Sequence, residues 1–299
     1  MTPAPPDINV EIEEVRSFWD AHPCGSRTSE ESDRVAYFLD IERERYARES
    51  HIPVVARFDQ FAGKRVLEVG CGIGTDGIQF ARRGADYVGV DLSPASVALA
   101  QEQFDLFAVD GTLTVANAEH LPFPDEHFDH VYSFGVIHHS PDVSAIVREI
   151  HRVLKPHGTV AVMVYNRSSI NYRIEISILR KFLRQILRPA FVPRLLSRMT
   201  NFDRGKLDRH REFLLSKGRV SDAEWISINT DGPDCPLARV YGRSEAEQLF
   251  VDFGEVRSDV WYFNRDHWPV LGGLVPDSLA RWLGRRWGWH RVTNAVKST

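Results

Sequence analysis

The chain is poor in cysteine. Cys24, Cys71 and Cys235 are the three in 299 residues, far apart and in no CxxC pair. That speaks against a disulfide framework and against a thiolate zinc site, and it fits a reducing cytoplasm. Long hydrophobic runs are missing too: no stretch approaches the ~18 uncharged apolar residues of a membrane span. The start, MTPAPPDINVEIEEVRSFW, has neither the basic beginning nor the apolar centre of a signal peptide. A cytoplasmic protein, neither exported nor membrane-spanning, is expected. Excess positive charge is absent overall, the net charge being -4, which argues against nucleic acid or an anionic membrane as a partner. Internal repeats and low-complexity tracts are lacking as well. Little about small substrates is excluded by these absences.

What is present is an alternation of short apolar runs and amphipathic segments from about residue 63 to 165. KRVLEVG and ADYVGVD read as strands around the helix TDGIQFARRG, with Gly84 as its stop. SPASVALAQEQF follows with Ser93 as N-cap and Pro94 at the first helical position. Then come GTLTVANAE, FDHVYSFGV, the helix DVSAIVREIHRVL and the strand GTVAVMVYN. This βαβ repetition predicts a parallel sheet covered on both faces, with ligands at the carboxyl ends of its strands.

Around this unit, residues 1–62 read as a helical N-terminal cap. Residues 167–240 read as a basic helical insertion and loop forming a substrate lid, with 221–240 as the loop. Residues 241–299 read as a helix and strands completing the sheet, with a capping box of Ser244 and Glu247 in RSEAEQLF and strands in EVRSDVWYF and WHRVTNAVK. Four segments result: 1–62, 63–166, 167–240 and 241–299.

LEVGCGIGTDGIQF can be parsed in two ways. Gly72, Gly74 and Gly77 give the G-x-G-x-x-G of a dinucleotide turn, while Gly70, Gly72 and Gly74 give G-x-G-x-G behind Glu68. A pyrophosphate at a helix N-terminus wants bare N–H groups and positive potential, so Asp76 in the first turn disfavours the first parsing. A cationic ligand without phosphates reverses the sign, and Glu68 and Asp76 would then help to hold it. Asp91, at the end of VGVD, suits a ribose in both parsings or simply caps the next helix.

VLEVGCGIGTD, VGVDLS, ANAEHLPFPDEHFD and REIHRVLKPHGTVAV, in that order, resemble the motifs of class I SAM-dependent methyltransferases, in the subgroup of the ubiquinone/menaquinone methyltransferases. The resemblance spans roughly residues 63–165, and four ordered motifs are far more specific than one glycine loop. It implies an α/β fold, a Rossmann-like, doubly wound, mostly parallel sheet of seven strands with helical N-terminal and inserted cap segments. It also implies S-adenosylmethionine as cofactor. Glu68, Gly70, Gly72 and Gly74 would lie under the methionine part, Asp91 would bind the ribose, and Leu92 would pack on adenine. Asn117 and Ala118 would meet the adenine amino edge, and Ser133 completes the cofactor set. The family more often has Asp at 117 and glycine at 157, where this chain has Asn117 and His157.

His138 and His139 follow the fourth strand, either as a base for an acidic proton or as packing residues. Between Arg167 and Lys206 ten basic residues face two acids, Glu175 and Asp203. That stretch is a solvated helix face, a contact with a second copy in a homo-oligomer, or a lid that attracts an anionic substrate. In the last case Tyr172 and Arg173 join Arg27 as substrate residues, and Glu175 becomes a candidate to take a proton from carbon. The tryptophans 261, 268, 282, 287 and 289 read as core and interface residues rather than an aromatic cage. The expectation is therefore methylation of a small specialised metabolite with an apolar body and an anionic head. Its speculative version is C-methylation of a prenyl diphosphate, the one case calling for Mg2+; otherwise no metal is expected. O- or N-methylation of a natural-product or quinone-like acceptor, an NAD(P) oxidoreductase and a non-catalytic SAM-binding protein are the alternatives.

Overall fold

The computed structural model describes residues 10–26, 29–200, 203–231, 235–265, 268 and 272–299. Eight strands form one sheet: β1 (Arg65–Val69), β2 (Asp86–Asp91), β3 (Thr112–Val115), β4 (Phe128–Phe134), β5 (Leu154–Asn166), β6 (Val240–Tyr241), β7 (Val256–Trp261) and β8 (His290–Val296). Their order is β3-β2-β1-β4-β5-β8-β7, with β6 pairing β5 off that path. The pairs from β3 to β5 are parallel. β8 runs antiparallel to β5, exchanging His157 N–H to Lys297 O (3.0 Å) and Lys297 N–H to Gly158 O (2.9 Å). The expected seven-stranded path is present, and the two-residue β6 is an addition.

The local signals act as read. Ser93 accepts from the Ser96 N–H at the start of α5 (Pro94–Leu106), and Gly84, at φ 86°, ends α4 (Gly77–Arg82). α6 (Val143–Val153) is capped by Asp142 and buries Ile146, Val147, Ile150 and Val153 on one face. His157 adopts φ 62°, the left-handed conformation that explains why glycine suits that turn.

The chain forms two compact units that do not follow the four expected segments. One, the core unit, comprises Ile12–Val164, Arg243–Asp259 and Val292–Thr299. The N-terminal helices belong to it: α1 (Ile12–Ala21), α2 (Arg34–Arg48) and α3 (Ile52–Ala56). Three ties explain this. Asp20 at the end of α1 accepts from Ser93 Oγ (3.0 Å) and Ala95 N–H (2.9 Å), capping α5 from outside. Arg34 and Glu102 form a bidentate pair at 2.5 and 2.7 Å, and Tyr37, Phe38 and Ile41 pack with Ile73 of the glycine loop.

The other, the helical unit, comprises Tyr165–Gly242 and Val260–Arg291. It contains a π-helix, Asn171–Arg180, then α7 (Lys181–Ile186), α8 (Val192–Met199), α9 (Arg204–Lys217) and α10 (Asp222–Thr230). Its core is Leu187, Val192, Leu207, Leu214, Trp225 and Ile228. The loop expected at 221–240 is partly α10, nucleated by a true capping box between Ser221 and Glu224. The box expected at Ser244 does not form. α11 (Arg243–Gln248) already includes Ser244, and Glu247 is held by Arg243 at 2.8 Å. α12 (Asp277–Trp287) completes the unit. The tryptophans form no cage among the described residues: Trp289 stacks on Tyr165 at 4.5 Å, Arg285 covers Trp261 at 3.7 Å, and Trp282 is exposed.

Candidate functional site

The carboxyl ends of β1, β2 and β4 bring most of the expected residues together in the core unit. The loop after β1 turns back over β2, with Gly70 and Cys71 N–H both donating to Val90 O at 2.8 and 3.0 Å. Gly70, Gly72 and Gly74 have φ of 77°, 52° and 87°. At Gly70 a Cβ would meet Val136 at 2.3 Å, so backbone and side chain pack there with no room between them, whereas at Gly72 a Cβ would meet nothing within 4 Å. Gly77 answers the parsing question from below: a Cβ there would strike the Tyr87 hydroxyl at 2.1 Å. It serves helix-to-strand packing.

Asp91 is the residue placed best for a ligand. Its Oδ2 accepts from Gly72 N–H and its Oδ1 from Ser93 N–H, both at 2.9 Å. A carboxylate has about four acceptor positions, so these backbone contacts leave acceptor capacity for a ligand hydroxyl. Burial raises the Asp91 pKa, and hydrogen bonds from Ser93, Gly72 and Leu92 N–H oppose that shift. Leu92 beside it is half-buried. The turn after β3 is tied to the same place by Ala116 N–H donating to Asp91 O at 2.9 Å. There Asn117 Oδ1 accepts from Glu119 N–H at 2.9 Å, closing an Asx turn that includes Ala118 and leaves the amide oxygen one further acceptor position.

The two loop acids differ from expectation. Asp76 is fully buried and gripped by Arg45 of α2, Nε to Oδ1 at 2.9 Å and Nη2 to Oδ2 at 2.7 Å. The hydroxyls of Tyr46 (2.9 Å) and Tyr132 (3.1 Å) also donate to it. Its charge is already neutralised inside the protein, so it gives no evidence for a cationic ligand. Glu68 is buried and accepts from Tyr87 O–H at 2.6 Å. Burial, then the neighbouring Asp76, pushes its carboxyl well above the usual range, so it is not a free anion at the loop surface. Sequence reasoning missed Arg45, Tyr46, Tyr87 and Tyr132, and no local pattern links them to the loop.

Ser133 is fully buried and donates to Val69 O at 2.9 Å, joining β4 to β1. That is a role in the sheet rather than at an open surface. His138 and His139 end a 3-10 turn, Ile137–His139, and both are buried. Their rings lie 4.2 Å apart, and His139 meets Trp19 of α1 edge to face at 5.0 Å. The turn is pinned to the Asn117 loop by Glu119, which accepts from Ser140 Oγ at 2.5 Å and Asp142 N–H at 3.2 Å.

The remaining candidates belong to the helical unit. Glu175, in the π-helix, is buried and ion-paired with Arg180, whose Nη1 donates to Asn229 O and Oδ1 at 3.1 and 2.9 Å. This ties the π-helix to α10. Tyr172 is half-buried and Arg173 exposed. Arg27 lies outside the described residues.

Residues 67–162 match the model of a methyltransferase domain family. Over 173 residues the chain is 33% identical to the phthiotriol/phenolphthiotriol dimycocerosates methyltransferase of Mycobacterium leprae, covering 56% of this chain and 62% of that one. Over 114 residues it is 34% identical to the ubiquinone biosynthesis O-methyltransferase of Azorhizobium caulinodans, covering 38% and 45%. The chain thus spans about half the length of the curated relatives it matches. Among solved structures, magnesium protoporphyrin IX methyltransferase from Synechocystis PCC 6803 with bound SAH superposes with a TM-score of 0.55 at 13% identity, covering 96% of this chain and 100% of that one. That likeness is one of fold. The matched residues, from β1 to β5, are those of a methyltransferase domain.

Proposed function

We propose that the chain is a SAM-dependent methyltransferase of a small molecule. The observation that carries the reading is Asp91, held by two backbone N–H groups beside the open space above Gly72. When bound, SAM supplies an electrophilic methyl group on a sulfonium. The chain's own part is to hold the ribose hydroxyls on Asp91, to admit the methionine part over Gly72, and to set the adenine between Leu92 and the Asn117 turn. Methyl transfer is a direct displacement, so alignment in a dry site does most of the work.

A hydroxyl acceptor also needs its proton removed. His139, under Trp19, is the group assigned to that task, with His138 packed behind it. The names of the two relatives, one an O-methyltransferase of ubiquinone biosynthesis, support O-methylation of a quinone-like or natural-product acceptor with an apolar body. N-methylation is the next reading. C-methylation of a prenyl diphosphate, with Mg2+ and Glu175 as base, is the weakest because Arg180 occupies that carboxylate.

Calorimetry with S-adenosylhomocysteine, NAD and NADP tests the cofactor. Binding of the first alone is expected, with binding about 10²- to 10³-fold weaker for Asp91→Ala through loss of two charge-assisted hydrogen bonds. Binding of NAD or NADP instead would move the chain to the oxidoreductases. Isotopically labelled SAM incubated with small-molecule pools then locates the acceptor. Binding of S-adenosylhomocysteine with no transfer to any pool would leave a SAM-binding protein without catalysis.

A further inference from the structure

The outer surface of the helical unit is unlike the rest of the described chain. Eight of the eighteen exposed large hydrophobic side chains among the described residues lie between Ile174 and Met199. α8 shows the arrangement best. Val192 and Pro193 are buried, and Leu196 packs with Val192 on the core around Leu207, Leu214 and Trp225. Turned the other way are Phe191, Arg194, Leu195, Arg198 and Met199, all exposed. Their spacing of three, four, seven and eight residues from Phe191 makes one stripe of a helix. Phe191 and Met199 are 67% and 71% exposed, so the inner face accounts for the fold of α8 and leaves three large apolar groups and two arginines facing outward.

Along the stretch of chain that carries this stripe the charge has nearly one sign. Between Arg167 and Thr200 the sole acid is Glu175, and it is buried against Arg180. Lys181 and Arg184 are answered by Asp222, whereas among the described residues Arg194 and Arg198 have no ion-pair partner. Ile178, Leu179 and Phe182 in the preceding helices are exposed as well. Apolar anchors interleaved with arginines suit an interface of hydrocarbon and phosphate, where the anchors enter the acyl boundary and the arginines meet headgroups. Two copies meeting through this stripe would set arginine against arginine.

We propose that the outer stripe of α8 docks the protein on an anionic lipid surface. No helix among the described residues is long and apolar enough to cross a membrane, so the contact is peripheral. The overall charge of -4, which spoke against a membrane partner, averages over a basic stretch and hides it. The docking is independent of methyl transfer and is read without turnover.

The test is sedimentation of the full chain with vesicles of phosphatidylcholine alone and of phosphatidylcholine mixed in equal parts with phosphatidylglycerol. Binding to the mixed vesicles, weakened by salt, is expected. Arg194→Gln with Arg198→Gln is expected to weaken it about 30-fold, roughly fivefold for each arginine. Phe191→Ser, Leu195→Ser and Met199→Ser together are expected to abolish it while the melting temperature stays unchanged, because all three side chains already face water. Absence of binding to the mixed vesicles, or equal binding by both variants, overturns the proposal. So does a dimer in sedimentation equilibrium that the triple variant dissolves, which would assign the stripe to a second copy.

Discussion

Each unit holds a buried carboxylate gripped by an arginine, and the two differ in the partners that close around the pair. In the core unit Asp76 meets Arg45 in two parallel hydrogen bonds and receives two tyrosine hydroxyls. In the helical unit Glu175 meets Arg180, whose Nη1 donates to Asn229. In the sequence both acids look functional, one in a cofactor loop and one in a basic lid. In the fold each makes a tie between elements: Asp76 fastens α2 under the glycine loop, and Glu175, through Arg180, fastens the π-helix to α10. An acid in a motif acquires its meaning from a partner that the motif does not contain.

Removing one arginine at a time sharpens that comparison. Arg45→Met leaves Asp76 uncompensated in a fully buried place and should cost about 3–5 kcal/mol by chemical denaturation. Adding Asp76→Asn should recover much of the loss; failure to recover any would mean that the arginine acts through packing alone. Arg180→Met should cost less, about 1–3 kcal/mol, because the Asn229 amide, already beside the pair, can turn to Glu175. Equal losses at the two sites would remove the distinction between them.

A third buried group in the core unit has no counter-charge. His130 stacks on Phe61 at 4.0 Å and pairs with Thr159 Oγ1 at 2.8 Å. Burial, helped by Arg57, lowers its pKa to about 3. The folded value lies below the unfolded one, so the stability it contributes is present above pH ~6.5. That stability is lost as the pH falls toward 3, by at most ~1.4 kcal/mol per pH unit. His130→Phe should flatten the stability profile across this window, and an unchanged slope would assign the acid sensitivity to other groups. The smallest effect is expected at the turn before β5, where His157→Gly relieves a left-handed residue but loosens the unfolded chain. The net change should stay within ~1 kcal/mol.

The sheet and its helices were legible because their signals are local. A strand ends in glycine at Gly70, Ser93 caps α5, and α6 repeats its apolar face every three to four residues. The four ordered motifs carried the class. Contacts between distant parts of the chain were not legible: Arg45 is 31 residues from Asp76, and nothing around either announces the pair. The two acids that suggest a cationic cofactor are engaged inside the fold, while Asp91 is held by Gly72 and Ser93 N–H, backbone groups of the motifs themselves. The division of the chain into units also escaped, since it depends on Asp20 reaching Ser93 and on where residues 260–291 return. The strings at Ser221 and Ser244 are alike, and the box forms at Ser221, where the helix begins one residue later.

The unequal crowding of the glycine loop also makes it a gauge. Alanine at Gly70 must displace Val136 and would report only on the loop itself. Alanine at Gly72 meets nothing, so beyond about 1–2 kcal/mol of backbone cost its methyl group intrudes on whatever occupies the space above. A series of S-adenosylhomocysteine analogues trimmed atom by atom, measured against that one methyl group, would trace the outline of the bound ligand.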